Sequence, residues 1–449
     1  MMRKTVALRW SLILTAAGAL VPGNSWAQSD VEVNAAVQFN FTSPGARSLA
    51  LGGAFIGLAD DATAAFTNPA GLTTLSKPEI SAEGRGFRYD HLFTNAGRLG
   101  GTPTGRGVDT INGISEAEST DRVGSFSFAS FVYPKGRFAV AVYRHELANF
   151  KASIQTDGAF LSPSDSRLFP VQASMDLKLT NYGLSTAYRF GEGFSLGAGI
   201  SAYQFKLSST TDRFNLSGLG TGAGGFYGPP LRGSSNVVNT QTQQGDQTAV
   251  GFNAGMSWKA SEKVRFGAVY RKGPDFDFEV KNVSGPAAPP AGRVFATKTA
   301  HFHVPDAYGA GLSIRATESL TVAMDYQRVQ YSRITKDFTI IFPFDANPAD
   351  FKADDSNEFH AGLEYVLTGM SSPIAIRLGA WNDPGHRIRF AGPLTQDTDQ
   401  YVAAFRAGDD EVHVSGGLGI VVGGNFQLDG GVDVSKRVKT VSFSAVLRF

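Results

Sequence analysis

Val441-Ser-Phe-Ser-Ala-Val-Leu-Arg-Phe449 alternates to the last residue. Val441, Phe443, Ala445, Leu447 and Phe449 share one parity, and the residues between them are mostly polar or small. A period of two predicts a strand with one oily and one wetter face.

The pattern recurs along the chain. Fourteen candidate strands follow residue 78: Glu79–Tyr89, Val123–Tyr133, Arg137–Glu146, Gln172–Phe190, Phe194–Ser208, Gln247–Trp258, Lys263–Val280, Val294–Ile314, Leu320–Ile341, Asn357–Leu367, Ile374–Asp383, Glu411–Val422, Asn425–Val434 and Lys439–Phe449. Their connections alternate between tight turns and generally longer loops, the long ones near 90–122, 147–171, 209–246, 281–293 and 384–410. Short turns at one end and long loops at the other, with an aromatic last residue, describe a bacterial outer-membrane β-barrel. The parity of Leu320-Thr-Val-Ala-Met-Asp-Tyr326 turns Leu320, Val322, Met324 and Tyr326 to lipid and Asp325 inward. In the same way Arg377, Gln427, Asp429 and Asp433 face inward. Carboxylates and an arginine there require a polar interior or paired charges. Near Gln327-Arg328 the parity slips, which predicts a bulge or an extension above the bilayer.

The N-terminus reads as an export signal, residues 1–27. Arg3, Lys4 and Arg9 precede the apolar stretch from Trp10 to Val21, and Ser25-Trp26-Ala27 presents small residues to a signal peptidase. The stretch is too short to span a bilayer as a helix. Its removal leaves 38 basic residues against 40 acidic, a balance that gives no hint of a nucleic-acid partner. The chain has 52 Gly, 34 Phe and no Cys, so disulfides and thiolate metal sites are excluded.

Residues 28–78 do not alternate. Their core, Ala46 to Leu72, is rich in Ala and Gly and suited to fill a lumen. Asp60-Asp61-Ala62-Thr63 predicts the start of a helical turn, and Asn68-Pro69-Ala70-Gly71 a tight turn. The stretch Gly52-Gly-Ala-Phe-Ile-Gly-Leu-Ala-Asp-Asp-Ala-Thr-Ala-Ala-Phe-Thr-Asn-Pro-Ala-Gly-Leu72 resembles the N-terminal hatch of the FadL-type hydrophobic-substrate transporters, which include the long-chain fatty acid, toluene and xylene channels. Val304-Pro-Asp-Ala-Tyr-Gly-Ala-Gly-Leu312, Arg377-Leu-Gly-Ala-Trp-Asn-Asp-Pro384 and His413-Val-Ser-Gly-Gly-Leu-Gly419 are similar to later strands of that family. The resemblance implies a 14-stranded barrel (79–449) plugged by a hatch (28–78), with passive uptake of hydrophobic molecules. It also implies a side opening at a kinked third strand, although Arg137–Glu146 announces no kink.

Asn68, Pro69, Ala70 and Gly71 are the candidate gating turn. Phe55 and Phe66 are candidates for an apolar pocket, and Phe214, Phe226, Tyr227 and Leu231 for a greasy landing site on the third long loop. Arg189, Arg265 and Arg377 are candidate partners for a carboxylate headgroup, with ion pairs to Asp325, Glu364 or Asp429 as the alternative. His301 and His303 share a strand face without an obvious third metal ligand. No enzyme, cofactor or metal is expected. The expectation is a monomeric outer-membrane channel that meets hydrophobic solutes, membrane lipid and lipopolysaccharide. A general pore for hydrophilic solutes and a scaffold for secreted proteins are the rival readings.

Overall fold

The protein is described here by a computed structural model covering residues 43–161, 166–168, 170–215, 227–229, 231–286, 292–337, 347–395 and 398–449. The expected signal segment, residues 28–42 and Phe226 lie outside the described residues. Fourteen strands form one antiparallel sheet: β1 (Glu79–Leu99), β2 (Gly113–Lys135), β3 (Phe138–Thr156), β4 (Val171–Phe190), β5 (Phe194–Phe214), β6 (Val237–Lys259), β7 (Val264–Lys272, resuming as Asp275–Ser284), β8 (Arg293–His303, resuming as Ala307–Arg315), β9 (Leu320–Val329), β10 (Ser356–Leu367), β11 (Ile374–Asp383), β12 (Glu411–Val422), β13 (Phe426–Val434) and β14 (Val438–Arg448). The sheet closes because β1 pairs with β14 from Glu79↔Arg448 to Tyr89↔Val438. In hydrocarbon an unpaired edge has no water to bond, and closure pairs the first and last strands with each other.

The parity holds. Met324 and Leu378 are exposed, whereas Asp325, Arg377, Asp429 and Asp433 are buried. Aromatic rings crowd the outer face beside the short turns, at Tyr133, Phe138, Tyr188, Phe190, Trp258, Phe266 and Tyr365. A second girdle is formed by Phe126, Tyr182, Phe252, Tyr270, Tyr308 and Phe359.

The structure corrects three boundaries. β9 ends at Val329 and is followed by a 3₁₀ turn, Tyr331–Thr335, so Leu320–Ile341 is not one strand. Its register is unbroken through Gln327, and the parity slip marks a strand end instead of a bulge. β7 and β8 break opposite one another at Pro274 and Pro305, whose missing N–H groups interrupt the ladder; Val304 N–H donates to Pro274 O across the gap. Much of the predicted first three loops is strand, since β1 to β6 run for 19 to 23 residues where 9–11 cross a bilayer.

Residues 43–78 run inside the cylinder. They contain α1 (Ala46–Ala50), α2 (Ala64–Thr67) and a 3₁₀ helix, Pro69–Thr74. The proof of position is contact with all fourteen strands. Starting from β1, the segment meets Glu83, Ser130, His145, Ser185, Ser195, Asn253, Arg265, Ser313, Asp325, His360, Gly379, Ser415, Gly431 and Ser444 in strand order. Only an object inside a closed ring can touch every stave. The approach is close because the facing wall is small. A Cβ on Gly362 would lie 2.6 Å from Leu51 O, and one on Gly431 2.6 Å from Ala46 O. Asp61 accepts from the Thr63 amide at 2.9 Å, and α2 itself has no side-chain cap, so the predicted helix start is an Asp-anchored turn.

Gly362→Val should therefore displace the inner segment without opening the sheet. The expected result in planar bilayers is stable ionic conductance well above wild type, with the folded barrel still heat-modifiable on gels.

Candidate functional site

Three layers can be followed up the lumen. The lowest is electrostatic. Arg47 of the inner segment holds Glu364 of β10 through two 2.8 Å hydrogen bonds and Asp60 at 2.5 Å. Arg377 of β11 bonds the same Glu364 at 2.6 Å and Asp429 of β13 at 2.7 Å. A buried charge is tolerated only when paired, and these are. Burial outweighs the Arg47 charge and the Thr63 hydrogen bonds at Asp61, whose carboxyl is raised above its ordinary range. Arg377 is thus engaged in ion pairs, Arg189 with the carbonyls of Thr73 (3.4 Å) and Gly136 (3.3 Å), and Arg265 with that of Leu58 (2.8 Å).

The middle layer docks backbone. Asp325 Oδ2 accepts from the amides of Phe55 (2.5 Å) and Ile56 (2.6 Å), and Oδ1 from Gly57 (3.4 Å). Asn68 works in the opposite direction. Its Nδ2 donates to Ile56 O (3.0 Å) and to Met256 O of β6 (3.1 Å), while its Oδ1 accepts from Ala70 N (3.2 Å) at the start of the 3₁₀ helix. Pro69 supplies the fixed torsion of that helix, and Gly71 sits where a Cβ would strike Ala59. Phe55 is packed with Leu51 and Leu58 in the segment's own core, with Arg47 over its ring. A cavity of about 20 Å³ lies beside Gly52, Asp325, His360 and Trp381, room for roughly one water.

The upper layer is apolar. One continuous cluster joins Phe66 of the inner segment to Phe128, Tyr143, Leu147 and Phe150 on β2–β3 and to Tyr203 and Phe205 on β5. It continues through Phe276 and Phe302 to Tyr331, Phe351, Tyr401 and Phe405 in the outer loops. Phe205 stacks between Phe276 (5.0 Å) and Phe302 (5.2 Å). Phe66 is packed within this cluster, its ring 4.3 Å from that of His145.

Arg271 of β7 was not anticipated from sequence. Its guanidinium is buried, lies 5.0 Å from the Phe66 ring, and donates to Gln327 Oε1 (3.1 Å) and Thr67 O (2.9 Å). No carboxylate is paired with it among the described residues, and its Nε–H has no partner. The signal lies in the register. Arg377 stands directly opposite Glu364, but Arg271 stands opposite Asn253 and Ala307.

The three landing-site residues among those described, Phe214, Tyr227 and Leu231, are not gathered into one patch. Phe214 is buried beneath Arg232, Tyr227 stacks on Phe160 at 5.1 Å, and Leu231 is exposed. The third strand carries an irregularity the sequence did not announce. The β3–β4 register shifts between Glu146 and Ala148, leaving Leu147 as the extra residue, and the β2–β3 ladder stops at Phe128↔His145.

With this geometry in place, comparison with known proteins is informative. A family model described as outer membrane protein transport protein (OMPP1/FadL/TodX) matches residues 27–369. The long-chain fatty acid transport protein of Escherichia coli (strain K12) is 26% identical over 281 residues, 59% of this chain and 56% of that one. Outer membrane protein P1 of Haemophilus influenzae is 26% identical over 321 residues, 64% of each. The matches therefore span less than two thirds of these relatives. Among solved structures, the CymD monoaromatic hydrocarbon channel superposes with a TM-score of 0.59 at 18% identity, covering 92% of this chain and 99% of that one. A Pseudomonas aeruginosa FadL homologue gives 0.61 at 15% identity, with the same coverage. At such identities these likenesses establish the fold.

Asp325→Ala strands three amides in a dry interior. The expected cost is about 2–3 kcal/mol, read as a lowered unfolding temperature in detergent. Proteolytic nicking within residues 43–78 should rise with it.

Proposed function

Because the chain belongs to the outer membrane protein transport family (OMPP1/FadL/TodX), we propose that it is an outer-membrane channel through which hydrophobic compounds, long-chain fatty acids or hydrocarbons, diffuse inward. The observation that carries the reading is the apolar cluster running from the outer loops down to Phe66. A greasy solute leaves water for that wall at a gain of about 25 cal/mol per Å² buried. Residues 43–78 act as the plug, and the turn Asn68–Gly71 anchors its lower half to β6. Gating by this turn consists of its release from Met256 O. No coupling to ATP or an ion gradient is needed, since the gradient of the solute itself drives the flow.

A general pore for hydrophilic solutes fits less well. The charges on the inner wall are spent on the plug and on each other, as Glu364, Arg377 and Asp325 illustrate. They do not line an open aqueous path.

Arg271 divides the two substrate classes. A carboxylate entering beside Phe66 would meet a guanidinium with a spare N–H, and a charge-assisted hydrogen bond of that kind is worth about 1.5–3 kcal/mol. A neutral arene gains nothing from it. The test is uptake of radiolabelled oleate and of radiolabelled toluene by cells lacking other hydrophobic channels. Wild type should take up at least one. For a fatty-acid channel, Arg271→Met should slow oleate uptake about tenfold and leave toluene unchanged. Failure of wild type to move either solute would refute the reading.

A further inference from the structure

On the outward face of β14, β1 and β2, three rows of directly opposed residues climb toward the long loops. Gly84 of β1 pairs with Phe443 of β14 and Phe126 of β2, Gly86 with Val441 and Gly124, and Arg88 with Lys439 and Arg122. The third row lies four residues beyond the first, about 13 Å along the strand, and its three cationic residues span about 10 Å across the sheet.

This row is open to the surroundings and short of negative charge. Arg88 and Lys439 are partly exposed and Arg122 is exposed. Asp90 Oδ1 accepts from Arg88 Nε at 3.0 Å, and its Oδ2 accepts from Lys439 Nζ at 3.5 Å. One carboxylate therefore serves two cations and holds their heads in place. Arg122 has no hydrogen-bond or ion-pair partner among the described residues. The next acidic side chain on its parity of β2, Glu118, is four residues further out. Like charges directly opposite one another destabilise a sheet, so Arg88 facing Arg122 is a cost that an external anion removes.

Below the row the wall is hollowed. A groove of about 610 Å³ runs over the outer face, walled by Phe126, Leu418, Leu428 and Phe443 and floored by Gly84 and Gly430. Its passage to the cations is clear. A Cβ on Gly124 would meet nothing within 4 Å, and one on Gly86 would make ordinary contact with Val441 at 3.4 Å. Packing demands glycine at neither position, and a side chain at either would obstruct the way from groove to cations.

We infer that this face binds one molecule of lipopolysaccharide, with a lipid A phosphate on the Lys439–Arg88–Arg122 row and an acyl chain in the groove. The row stands at the long-loop end, which in an outer-membrane barrel is the extracellular side. The anionic lipid of that leaflet is lipopolysaccharide. Two guanidinium groups and an ammonium suit a phosphate through charge-assisted hydrogen bonds. A free phosphate would leave the apolar groove empty, whereas an acyl chain on the same molecule fills it. The site faces the membrane and goes beyond the proposed channel, taking no part in the solute's path through the lumen.

The test is native mass spectrometry of the delipidated, refolded protein in detergent, titrated with rough-type lipopolysaccharide, the same lipid dephosphorylated, and phosphatidylglycerol. Folding is checked by heat modifiability. Wild type should bind one lipopolysaccharide at least about tenfold more tightly than either other lipid. Arg122→Gln/Lys439→Gln, which leaves Asp90 its arginine, should weaken that binding about tenfold. Gly124→Leu should weaken it about threefold by standing in the passage. Arg137→Gln/Lys263→Gln removes the same charge from exposed positions at the short-turn end and should stay within about twofold of wild type. The site is overturned if folded Arg122→Gln/Lys439→Gln or Gly124→Leu protein binds as tightly as wild type, or if the short-turn pair loses as much. Equal binding of all three lipids by wild type also overturns it, and this comparison decides should the variants not fold. Binding is read without uptake, so its failure leaves the channel intact, and failure of wild type to move solute leaves this site intact.

Discussion

A peptide amide in hydrocarbon has no water to bond, and the sheet of this protein obeys that constraint by returning β14 to β1. Closure fixes the rest. It gives each strand an inside and an outside, sorts Met324 from Asp325, and creates an interior that must be filled or left wet. The chain fills it with its own residues 43–78. A segment so enclosed cannot rely on solvent, so several of its backbone amides and carbonyls are matched to wall side chains: Asp325 accepts, and Asn253, Ser185 and Arg265 donate.

The same enclosure separates two kinds of lumen. Beside the inner segment the wall is glycine and paired charge, because close backbone approach leaves no room for large side chains. Above it the wall is aromatic and aliphatic up to Phe351 and Phe405. Arg271 stands at the boundary, a cation hydrogen-bonded to neutral groups and stacked on Phe66. That junction is where an amphipathic solute would find both of its ends satisfied. The break in the β2–β3 ladder begins close by, since His145 packs on the same Phe66 ring.

Several elements were legible from the chain alone. The inward parity of Asp325, Arg377, Asp429 and Asp433 is a matter of counting by two, and counting also located all fourteen strands. The Pro274 and Pro305 breaks were visible as residues but not as a pair, because nothing in the sequence says that they face each other. The end of β9 is not visible in the sequence, because Tyr331 prolongs the apolar parity that starts at Val329, although the ladder stops at Val329. A 3₁₀ turn packed under loops buries the same residue types that a strand would.

The sequence by itself determined the period of two, the Ala- and Gly-rich core of residues 46–72, and thereby a closed sheet with something small inside it. Only the tertiary structure decided partners. Register placed Glu364 opposite Arg377 and left Arg271 opposite Asn253 and Ala307, which gave one arginine carboxylate partners and the other neutral ones. It also set the single extra residue at Leu147, just beyond the last β2–β3 pair at His145. Alternation tells which face a side chain takes. The neighbour it meets there depends on the stagger between strands, and that is fixed only when the whole cylinder closes.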